Sequence, residues 1–425
     1  MAKSPTGLEP ESPQTVRRPP EAGPPHGPEA AAAPGDLPAL TRPAFAILRR
    51  IRWGALTVVL PDGRAVRFDG PEPGPEGTIV LKDYRAVRRA LLGGGIGFAD
   101  AYVAGEWDSP DLAAALEVSA RNSMLMQEIF RGRPWARWMA RAFHLFHRNT
   151  RAGSRRNISH HYDLGNAFYE KWLDPSMTYS SARFSAPEEP LSAAQQNKYR
   201  TLAERIGLGP GHTVLEIGSG WGGFAEWAAK TVGCRITGIT ISREQLDFAR
   251  KRMFRQGLSE KVEIRFQDYR DVDDRYDRVA SIEMFEAVGE AYWPDFFGKV
   301  RDVLNRGGKA GLQIITIADE LFPHYRRNTD FIQRYIFPGG MLASPSELLR
   351  QVKNAGLSLA NQSTFGQDYA RTLNVWRRKF LDGWEEIGPL GFDERFKRIW
   401  TYYLAYCEAG FRARTVDVTQ IALAK

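Results

Sequence analysis

A run of glycines after an apolar segment is the part of this sequence best suited to binding a small ligand. Thr213–Ile217 reads as a short apolar strand, Gly218, Gly220 and Gly222 follow it, and a helical pattern begins at Phe224. Glycine allows positive φ and close approach of a ligand to the backbone, where the first N–H groups of a helix are available. A glycine cluster alone is weak evidence, but its position between a strand and a helix predicts a nucleotide-like ligand.

The residues around this turn favour S-adenosylmethionine over a dinucleotide. A dinucleotide site has an acidic residue about 20 positions further on, for the ribose hydroxyls, whereas residues 238–242 contain no acid. The spacing Glu216-x-Gly218-x-Gly220 is typical of S-adenosylmethionine enzymes. Asp268 and Tyr269 follow the third predicted strand, where an adenine-contacting acid usually lies in such folds.

Alternating strands and helices from about residue 195 must position these residues. The predicted strands are Thr213–Ile217, Arg235–Thr240, Val262–Gln267, Tyr276–Ile282 and Gly308–Ile317, and the helices between them are Phe224–Thr231, Glu244–Arg255 and Trp293–Leu304. Regular βα alternation predicts a parallel sheet with helices on both faces.

The rest of the chain divides by composition. Residues 1–38 are rich in Pro, Ala, Gly and Glu and have too few apolar side chains to offset the entropy of ordering, so we expect a disordered tail. Residues 39–120 predict a small α+β accessory domain: a hairpin at Ile51–Phe68 around Pro61–Gly63, then helices near Tyr84–Leu92 and Leu112–Ser119. We assign 121–157 to a connector and 158–425 to the ligand-binding domain.

The connector is strongly basic. It has nine arginines against one acid, Glu128, and large apolar residues such as Trp135 and Trp138 lie between the arginines. This pattern is typical of an amphipathic helix on an anionic membrane surface. It is equally compatible with a basic helix packed on the catalytic domain. RNA binding is a less favoured third interpretation, because no recognised nucleic-acid module accompanies the basic connector.

The whole composition narrows the class of protein. The net charge of +8 favours an anionic partner. Two distant cysteines, Cys234 and Cys407, predict neither a disulfide framework nor a cysteine-based metal site. The start of the chain lacks the apolar core of a secretory signal, and no apolar run is long enough to cross a bilayer. We therefore expect a cytoplasmic protein, peripherally associated with the inner face of the membrane.

From about residue 157 to 415 the sequence resembles the cyclopropane-fatty-acyl-phospholipid synthase family, which includes the mycolic acid methyltransferases. The matching blocks are HYDLGNAFYEKWLDPSMTYSSARF at 161–184, VLEIGSGWGGFAEWAA at 214–229, GITISREQ at 238–245, QDYRDV at 267–272, IEMFEAVG at 282–289, YIFPGG at 335–340 and TYYLAYCEAGFRAR at 401–414. The N-terminal domain resembles the family more weakly. The resemblance implies an α/β fold, a Rossmann-like class I methyltransferase with a mostly parallel seven-stranded sheet, plus the small N-terminal α+β domain.

The resemblance also implies which residues bind S-adenosylmethionine, the cosubstrate. Tyr179 and Ser180 would touch it, the glycine turn would hold its methionine end, the end of the second strand its ribose, and Asp268 its adenine. The full set is Tyr179, Ser180, Glu216, Gly218, Gly220, Gly222, Thr240, Ile241, Ser242, Gln245, Asp268 and Tyr269.

The implied chemistry places demands on the site. Methyl transfer from a sulfonium to an alkene leaves a carbocation on the acyl chain, so the site must exclude water and tolerate positive charge. Aromatic faces do both. The candidates, only some of which can line the site, are His161, Tyr162, Phe184, Phe285, Tyr335, Phe337 and Tyr369. A base must then remove a proton. Loss from the transferred methyl gives a cyclopropane, and loss from a chain carbon leads to a methylated or methylene-bearing chain; both products stay open.

In the resembled family a bound bicarbonate is thought to be the base. The matching positions are Ser181, Glu286, Gln313, Ile315 and Tyr369. The family usually has Cys at the position of Ser181 and His at that of Gln313; Gln can hydrogen-bond an anion but cannot carry a proton. These changes weaken the expectation of an anion held as in ring-forming enzymes. We expect Glu286 to be catalytic.

Cys407 matches a cysteine that the family resemblance marks as a catalytic candidate. A thiol nucleophile has no evident task in electrophilic methylation, so we expect Cys407 to be a buried structural residue near the site.

The sequence thus predicts a C-methyltransferase acting on the double bond of an unsaturated phospholipid acyl chain at an anionic membrane surface, without a metal or nucleic acid. A methyltransferase of another lipid or of a small soluble acceptor is an alternative, as is a non-catalytic lipid-binding relative. A homodimer is left open.

Overall fold

The computed structural model describes residues 41–125 and 164–425, which form two β-sheets and the helices around them. One sheet has four strands and lies in the N-terminal part of the chain, and the other has seven strands and lies in the remainder. The predicted disordered tail and most of the basic connector lie outside the described residues, so those two assignments stay predictions.

The N-terminal part is an α+β unit built around the predicted hairpin. Its elements are α1 (Thr41–Leu48), β1 (Trp53–Val59), β2 (Ala65–Asp69), β3 (Glu72–Leu81), α2 (Arg85–Val103), β4 (Trp107–Asp108) and α3 (Leu112–Arg121). β1 pairs with β2 antiparallel, which confirms the hairpin, and with β3 parallel. Alternate residues of β1 and β3 are buried, because successive side chains of a strand point to opposite faces.

Helix α2 is longer than predicted and is broken in the middle. The sequence pattern ended near Leu92, whereas the helix continues to Val103 after a break at Gly94, which has φ 62° and ψ −144°. Residues other than glycine rarely adopt this backbone conformation. The glycines of residues 93–95 therefore interrupt the helix without ending it.

The larger sheet and its helices make up the rest of the described chain. The helices are α4 (Asn166–Glu170), α5 (Leu191–Arg205), α6 (Gly223–Thr231), α7 (Arg243–Arg255), α8 (Trp293–Val303), α9 (Phe322–Tyr325), α10 (Phe331–Tyr335), α11 (Pro345–Asn354), α12 (Gly366–Asp382), α13 (Trp384–Ile387) and α14 (Glu394–Arg412). The strands are β5 (Thr213–Ile217), β6 (Arg235–Thr240), β7 (Val262–Phe266), β8 (Tyr276–Ile282), β9 (Leu304–Ile317), β10 (Ser358–Thr364) and β11 (Val416–Ala424).

The strand pairing confirms the predicted fold class. β5 lies between β6 and β8, and the pairings from β7 through to β9 are all parallel. β11 pairs antiparallel with β9 and with β10, which completes a mostly parallel seven-stranded sheet. β9 begins at Leu304, before the predicted start at Gly308. Tyr276 of β8 pairs with Leu304 and Arg278 pairs with Lys309, so a register shift accommodates the extra residues of β9, including Gly307 and Gly308.

The two parts of the chain share one apolar core. A single cluster of buried side chains runs from Phe45 and Trp107 in the N-terminal part to Trp400 in α14. Arg398 of α14 fixes the contact, since its Nε donates to the carbonyl of Tyr102 (2.6 Å) and its Nη2 to that of Trp107 (3.0 Å). The N-terminal unit is thus packed on the last long helix of the larger unit.

Two further properties concern the described residues alone. Over 41–125 and 164–425, no helix is both long and apolar enough to cross a bilayer. Within the same ranges no three His, Cys, Asp or Glu side chains cluster as metal ligands would.

Candidate active site

A cavity of about 1280 Å³ lies at the carboxyl ends of the parallel strands and continues into the N-terminal unit. Ligands of open α/β sheets bind at this edge, where the strand order reverses. The reversal occurs beside β5, which carries the glycine turn. The cavity therefore lies where the sequence predicted it.

The glycine turn forms one end of the cavity. Gly218 has φ 84° and Gly220 has φ 52°, and both line the cavity. A Cβ built on Gly220 meets no atom within 4 Å, so this backbone faces open space that a ligand can fill. The N–H groups of Gly218 and Ser219 donate to the carbonyl of Ile239 (3.0 and 2.9 Å), which fixes the turn to β6.

Glu216, at the end of β5, is suited to a cationic group of a ligand. Its side chain is buried and lines the cavity, and its Oε2 has no hydrogen-bond partner among the described residues. Burial raises the pKa of Glu216 well above its ordinary value. An ammonium group would supply both the missing donor and the charge that keeps this carboxylate ionised. The methionine end of S-adenosylmethionine carries such a group, so this residue fits the predicted cosubstrate.

The end of β6 presents hydroxyl and amide groups. Thr240, Ile241 and Gln245 line the cavity, and Thr240 Oγ1 donates to Gln245 Oε1 (3.0 Å). Ser242 and Gly222, also predicted to contact the cosubstrate, are not among the described residues that line the cavity. Ser242 instead caps α7, where its Oγ accepts from the N–H of Gln245. It can position Gln245 without touching the ligand.

Asp268 and Tyr269 follow β7 and line the cavity as expected. The carboxylate of Asp268 is held by Arg270, whose Nε and Nη2 donate to its two oxygens (2.8 and 2.7 Å). Arg270 was not predicted from the sequence, although it lies two residues after Asp268. A bidentate arginine fixes the plane of a carboxylate, so Arg270 orients Asp268 toward the cavity.

A carboxylate that the sequence analysis overlooked occupies the centre of the predicted catalytic group. Glu283 Oε1 accepts from the N–H of Ser181 (2.8 Å) and from Gln313 Nε2 (2.7 Å), and its Oε2 accepts from the hydroxyl of Tyr369 (2.8 Å). Glu283 lines the cavity, whereas Ser181 and Gln313 are fully buried and do not. Three of the five positions matched to a bicarbonate site therefore donate to a side chain of the protein.

Backbone geometry supports this arrangement. Glu283 has φ 49°, in the left-handed region, and its N–H donates to the carbonyl of Gln313 (2.8 Å). Strained backbone of this kind is concentrated at functional sites. Gln313 is oriented by Gln420, whose Nε2 donates to Gln313 Oε1 (3.0 Å) and so leaves the Gln313 amide group directed at Glu283. The sequence signal for Glu283 was a second acid three residues before Glu286, directly after a strand.

Glu286 differs from Glu283 in its surroundings. Its Oε1 accepts from the N–H of Ile315 (2.5 Å), and its Oε2 is buried with no partner among the described residues. Burial, with a contribution from the charge of Glu283, raises the pKa of Glu286 to about 8. Near neutral pH this carboxyl is therefore mainly protonated and can donate a proton or a hydrogen bond into the cavity.

A buried lysine lies behind Glu283. Lys198 of α5 is fully buried, and its Nζ donates to Ser180 Oγ (2.6 Å), next to the Ser181 N–H that binds Glu283. Burial lowers the pKa of Lys198 and raises that of Glu283, and each charge opposes the shift of the other. Lys198 was not predicted from the sequence, because its neighbours in the helix are ordinary polar residues.

The other candidates complete the cavity wall. Tyr179 and Ser180 line it, and the hydroxyl of Tyr179 hydrogen-bonds that of Tyr403 (2.6 Å). Phe337 and Tyr369 line it, whereas Phe285 packs in the core against Trp293 and the phenylalanines of α8. Phe184 and Tyr335 are not among the described residues that line it, and His161 and Tyr162 lie outside the described residues. Aromatic residues of α14 that were not predicted also line the cavity: Tyr402, Tyr403, Tyr406 and Phe411.

Cys407 also lines the cavity, and its side chain is in the neutral thiol form and not the thiolate form. Burial is the largest cause that raises its pKa far above the ordinary value, and Asp330 adds to the shift. A thiolate is the nucleophilic form. The environment of Cys407 therefore favours packing over nucleophilic catalysis.

The arrangement combines a polar ligand-binding end with an aromatic and apolar chamber that includes the carboxyl groups of Glu283 and Glu286. Of the predicted catalytic residues, Glu286, Ile315, Tyr369 and Cys407 line the chamber, and Ser181 and Gln313 reach it through Glu283. A positive charge that develops in such a chamber is stabilised by aromatic faces and by a nearby anion, away from bulk water.

Comparison with known proteins agrees with this geometry. The profile of the family described as Mycolic acid cyclopropane synthetase matches residues 149–421. The tuberculostearic acid methyltransferase UfaA1 of Mycobacterium tuberculosis is 37% identical over 94% of this chain and 93% of its own length. The cyclopropane-fatty-acyl-phospholipid synthase of Escherichia coli is 33% identical over 88% of this chain and 94% of its own.

A solved structure is similar as well. The mycolic acid cyclopropane synthase CmaA1, complexed with SAH and CTAB, superimposes with a TM-score of 0.60 and 27% identity over 64% of this chain and 98% of its own. The profile match covers more than half of the chain. S-adenosylmethionine is the cosubstrate of this chain. The chain belongs to the mycolic acid cyclopropane synthetase family of S-adenosylmethionine-dependent lipid methyltransferases.

Proposed function

We propose that this enzyme methylates the double bond of an unsaturated phospholipid acyl chain, that Glu283 is the base, and that the product is a methylene-bearing or methylated unsaturated chain and not a cyclopropane. The single observation that carries the proposal is the position of Glu283. Its carboxylate accepts hydrogen bonds from Ser181, Gln313 and Tyr369, the positions at which the family resemblance implied a bicarbonate ion.

The steps balance without another reagent. The alkene attacks the sulfonium methyl, so a C–C bond forms, the S–CH₃ bond breaks, and S-adenosylhomocysteine is released. The neighbouring chain carbon becomes cationic; a hydride shift can move the charge to the methylated carbon. Loss of one proton then restores a neutral product. The Glu283 carboxylate accepts that proton, and the aromatic wall around Tyr369 and Phe337 shields the cation from water.

A fixed base explains why the ring is disfavoured. A bicarbonate ion held by five groups is not tethered to the protein. The carboxylate of Glu283 is tethered to the backbone at the end of β8, so the two bases can occupy different positions. A shifted base meets a different proton, and ring closure requires removal of a methyl proton while the charge is still on the adjacent carbon. UfaA1, which matches 94% of this chain, is named as a methyltransferase, in agreement with this product.

Labelled substrates test both parts of the proposal. The protein is incubated with S-adenosylmethionine carrying a CD₃ group and with vesicles of cis-unsaturated phospholipid. We expect deuterium in the acyl chain and alkene signals in the proton NMR spectrum of the product. Upfield ring signals would refute the product assignment, and absence of label from every lipid would refute the lipid substrate. Retention of three deuterons would show that the proton leaves a chain carbon and that the product is a methylated alkene. Two deuterons together with alkene signals would show that a deuteron leaves the methyl group after the hydride shift and that the product carries a methylene group.

The role of Glu283 has its own test. Glu283→Gly suits the left-handed backbone and empties the space between three hydrogen-bond donors. We expect activity to fall by about 10²-fold or more, as for loss of a positioned base, and to recover partly when bicarbonate is added, whereas the unmodified enzyme should not respond to bicarbonate. Glu290→Gln, on the surface beside Arg326, is the matched control. Full activity of Glu283→Gly without bicarbonate would contradict the assignment.

A further inference from the structure

The cavity extends well beyond the cosubstrate site, into the middle of the N-terminal unit. The inner faces of β1 and β3 line it through Leu56, Val58, Ile79 and Leu81, and the helices opposite line it through side chains such as Leu116. These residues form the core of that unit, so its sheet and helices enclose a hollow. Residues 41–125 lie outside the range matched by the family profile.

The hollow opens to the surface at the break in α2. Of the described residues that line the cavity, four are exposed: Leu92, Gly93, Gly95 and Arg334. Leu92 is 51% exposed, which is unusual for a leucine that also lines an interior cavity. Gly94 gives the helix its break at this point. The opening thus combines an apolar side chain, glycine backbone and one cation.

Arg334 can bind an anionic group at this opening. Its side chain is 43% exposed and lies 3.9 Å from Asp100, a long and weak ion pair. Asp100 also accepts a hydrogen bond from the hydroxyl of Tyr335. Because this ion pair is long and the guanidinium is exposed, N–H donors of Arg334 can reach a phosphate, which arginine binds well.

We propose that the phospholipid enters through the break in α2, that its phosphate stays at Arg334, and that the hollow of the N-terminal unit holds the acyl segment between the headgroup and the double bond. This inference rests on the proposed function, since it names the path to the same catalytic carboxylates. The opening, the hollow and the chamber of Glu283 and Glu286 are parts of one continuous cavity. The length of the hollow then determines which double bond reaches Glu283.

The chemistry of the wall suits this occupant. The side chains of β1 and β3 that line the hollow are aliphatic and carry no polar groups. Each methylene that moves from water into such a wall improves binding about fourfold. A soluble polar substrate would gain nothing from this surface.

Filling the hollow tests the path. Ala90 lines it from α2, so Ala90→Phe adds a ring inside it; Ala46→Phe, an exposed residue of α1 outside the lining, is the matched control. One substrate series varies the number of carbons between the carboxyl group and the double bond, and a second series varies those beyond it. We expect Ala90→Phe to lower kcat/KM about fourfold for each additional carbon in the first series, with no such trend in the second.

Two additional variants guard against misfolding. Leu56→Ala enlarges the hollow and should shift the optimum of the first series toward longer segments, opposite to Ala90→Phe. Arg334→Gln should raise KM for a phospholipid while leaving KM for the corresponding uncharged acyl ester unchanged. Binding of S-adenosylhomocysteine, measured by calorimetry, should be unaffected in every variant and reports that the fold is intact.

The outcomes separate this inference from the function on which it depends. If the unmodified enzyme labels no lipid, the proposed function fails. If it labels lipid but Ala90→Phe and Leu56→Ala leave the first series unchanged, the function stands and the path through the N-terminal unit is wrong. A response confined to the second series would place the other end of the acyl chain in the hollow and would overturn the proposed direction.

Discussion

Two carboxyl groups three residues apart differ in their hydrogen-bond partners. Burial raises the pKa of Glu283, and three donors and the charge of Lys198 oppose that rise. Glu286 accepts from one backbone N–H, and burial together with the charge of Glu283 raises its pKa to about 8. Two anions so close together are unfavourable, and the larger number of donors around Glu283 favours the charge on Glu283 and the proton on Glu286.

Lys198 is expected to set the pH range in which Glu283 works. The charge of Lys198 opposes the rise that burial causes in the pKa of Glu283, so Lys198→Met should raise that pKa further and move the acidic limb of the kcat/KM profile to higher pH. Each unit of that shift lowers kcat/KM about tenfold below the new pKa. The pH profile of kcat/KM is the measurement.

The control for this prediction is an exposed lysine. Lys230→Met removes a cation that pairs with Glu226 on α6, away from Glu283. It should leave the profile in place. A Lys198→Met enzyme with lower activity at all pH values and an unmoved acidic limb would assign Lys198 a purely structural role.

Cys407 is expected to be dispensable for chemistry. Burial raises the pKa of its thiol, so almost no thiolate is present near neutral pH. Cys407→Ala should retain kcat/KM within about threefold, because the loss is limited to a small change in packing. Steady-state kinetics with saturating cosubstrate measures this. A loss of about 10³-fold or more, of the size seen when catalytic nucleophiles are removed, would contradict it.

How far the sequence predicted individual residues depended on whether their role is local. Glu216, Gly218 and Gly220 were identified because a strand, a turn and a helix give a recognisable spacing. Glu283 and Lys198 were not identified, because their meaning depends on partners such as Tyr369, 86 positions further along the chain. Such long-range hydrogen bonds leave no periodic signal in the sequence.

At the level of elements, the βα alternation was sufficient to predict the sheet. β5, β6 and β8 have the predicted bounds, because strands buried on both faces read as short apolar runs. The continuation of α2 past its glycines was not predicted. A glycine run usually indicates the end of a helix, and here the packing of the second half, including the fully buried Ala99 and Ala101, continues the helix beyond the break.

The break in α2 should depend on Gly94. Its φ of 62° and ψ of −144° lie where a Cβ is strongly disfavoured, so Gly94→Ala should lower the free energy of unfolding by about 1–3 kcal/mol. Gly93→Ala is the matched control: its φ is not positive and an added Cβ meets no atom within 4 Å. That change should be neutral or slightly stabilising. Urea titration measures both, and equal effects would contradict a specific strain at Gly94.

On the scale of the whole molecule, the N-terminal unit and the methyltransferase unit form one working cavity. The sequence predicted them as separate domains, because the change in pattern near residue 120 is evident and their shared core is not. That core joins side chains from both ends of the described chain, such as Phe45 and Trp400. The hollow of the N-terminal unit could be seen in the structure alone, since a cavity is a property of packing and not of sequence spacing.

The charge of the whole chain predicts how it meets its substrate. The net charge is +8, and residues 121–157 carry nine arginines against one acid. Each cation near an anionic bilayer contributes about 1 kcal/mol. Replacing Arg131, Arg133, Arg137 and Arg141 with Gln should therefore weaken binding to anionic vesicles by up to about 4 kcal/mol, roughly a thousandfold. Flotation over a range of salt concentrations measures the partition.

A matched variant separates position from net charge. Arg235, Arg255, Arg306 and Arg378 are exposed on the larger unit, and replacing these four with Gln removes the same charge elsewhere. Electrostatic attraction between a cation and a charged surface decays within a Debye length of about 10 Å at 0.1 M salt. If the connector lies at the lipid surface, the connector variant should therefore lose both vesicle affinity and the salt dependence of that affinity. The other variant should keep most of each. Equal losses in the two variants would mean that the connector has no special contact and that net charge alone attracts the enzyme to the lipid surface.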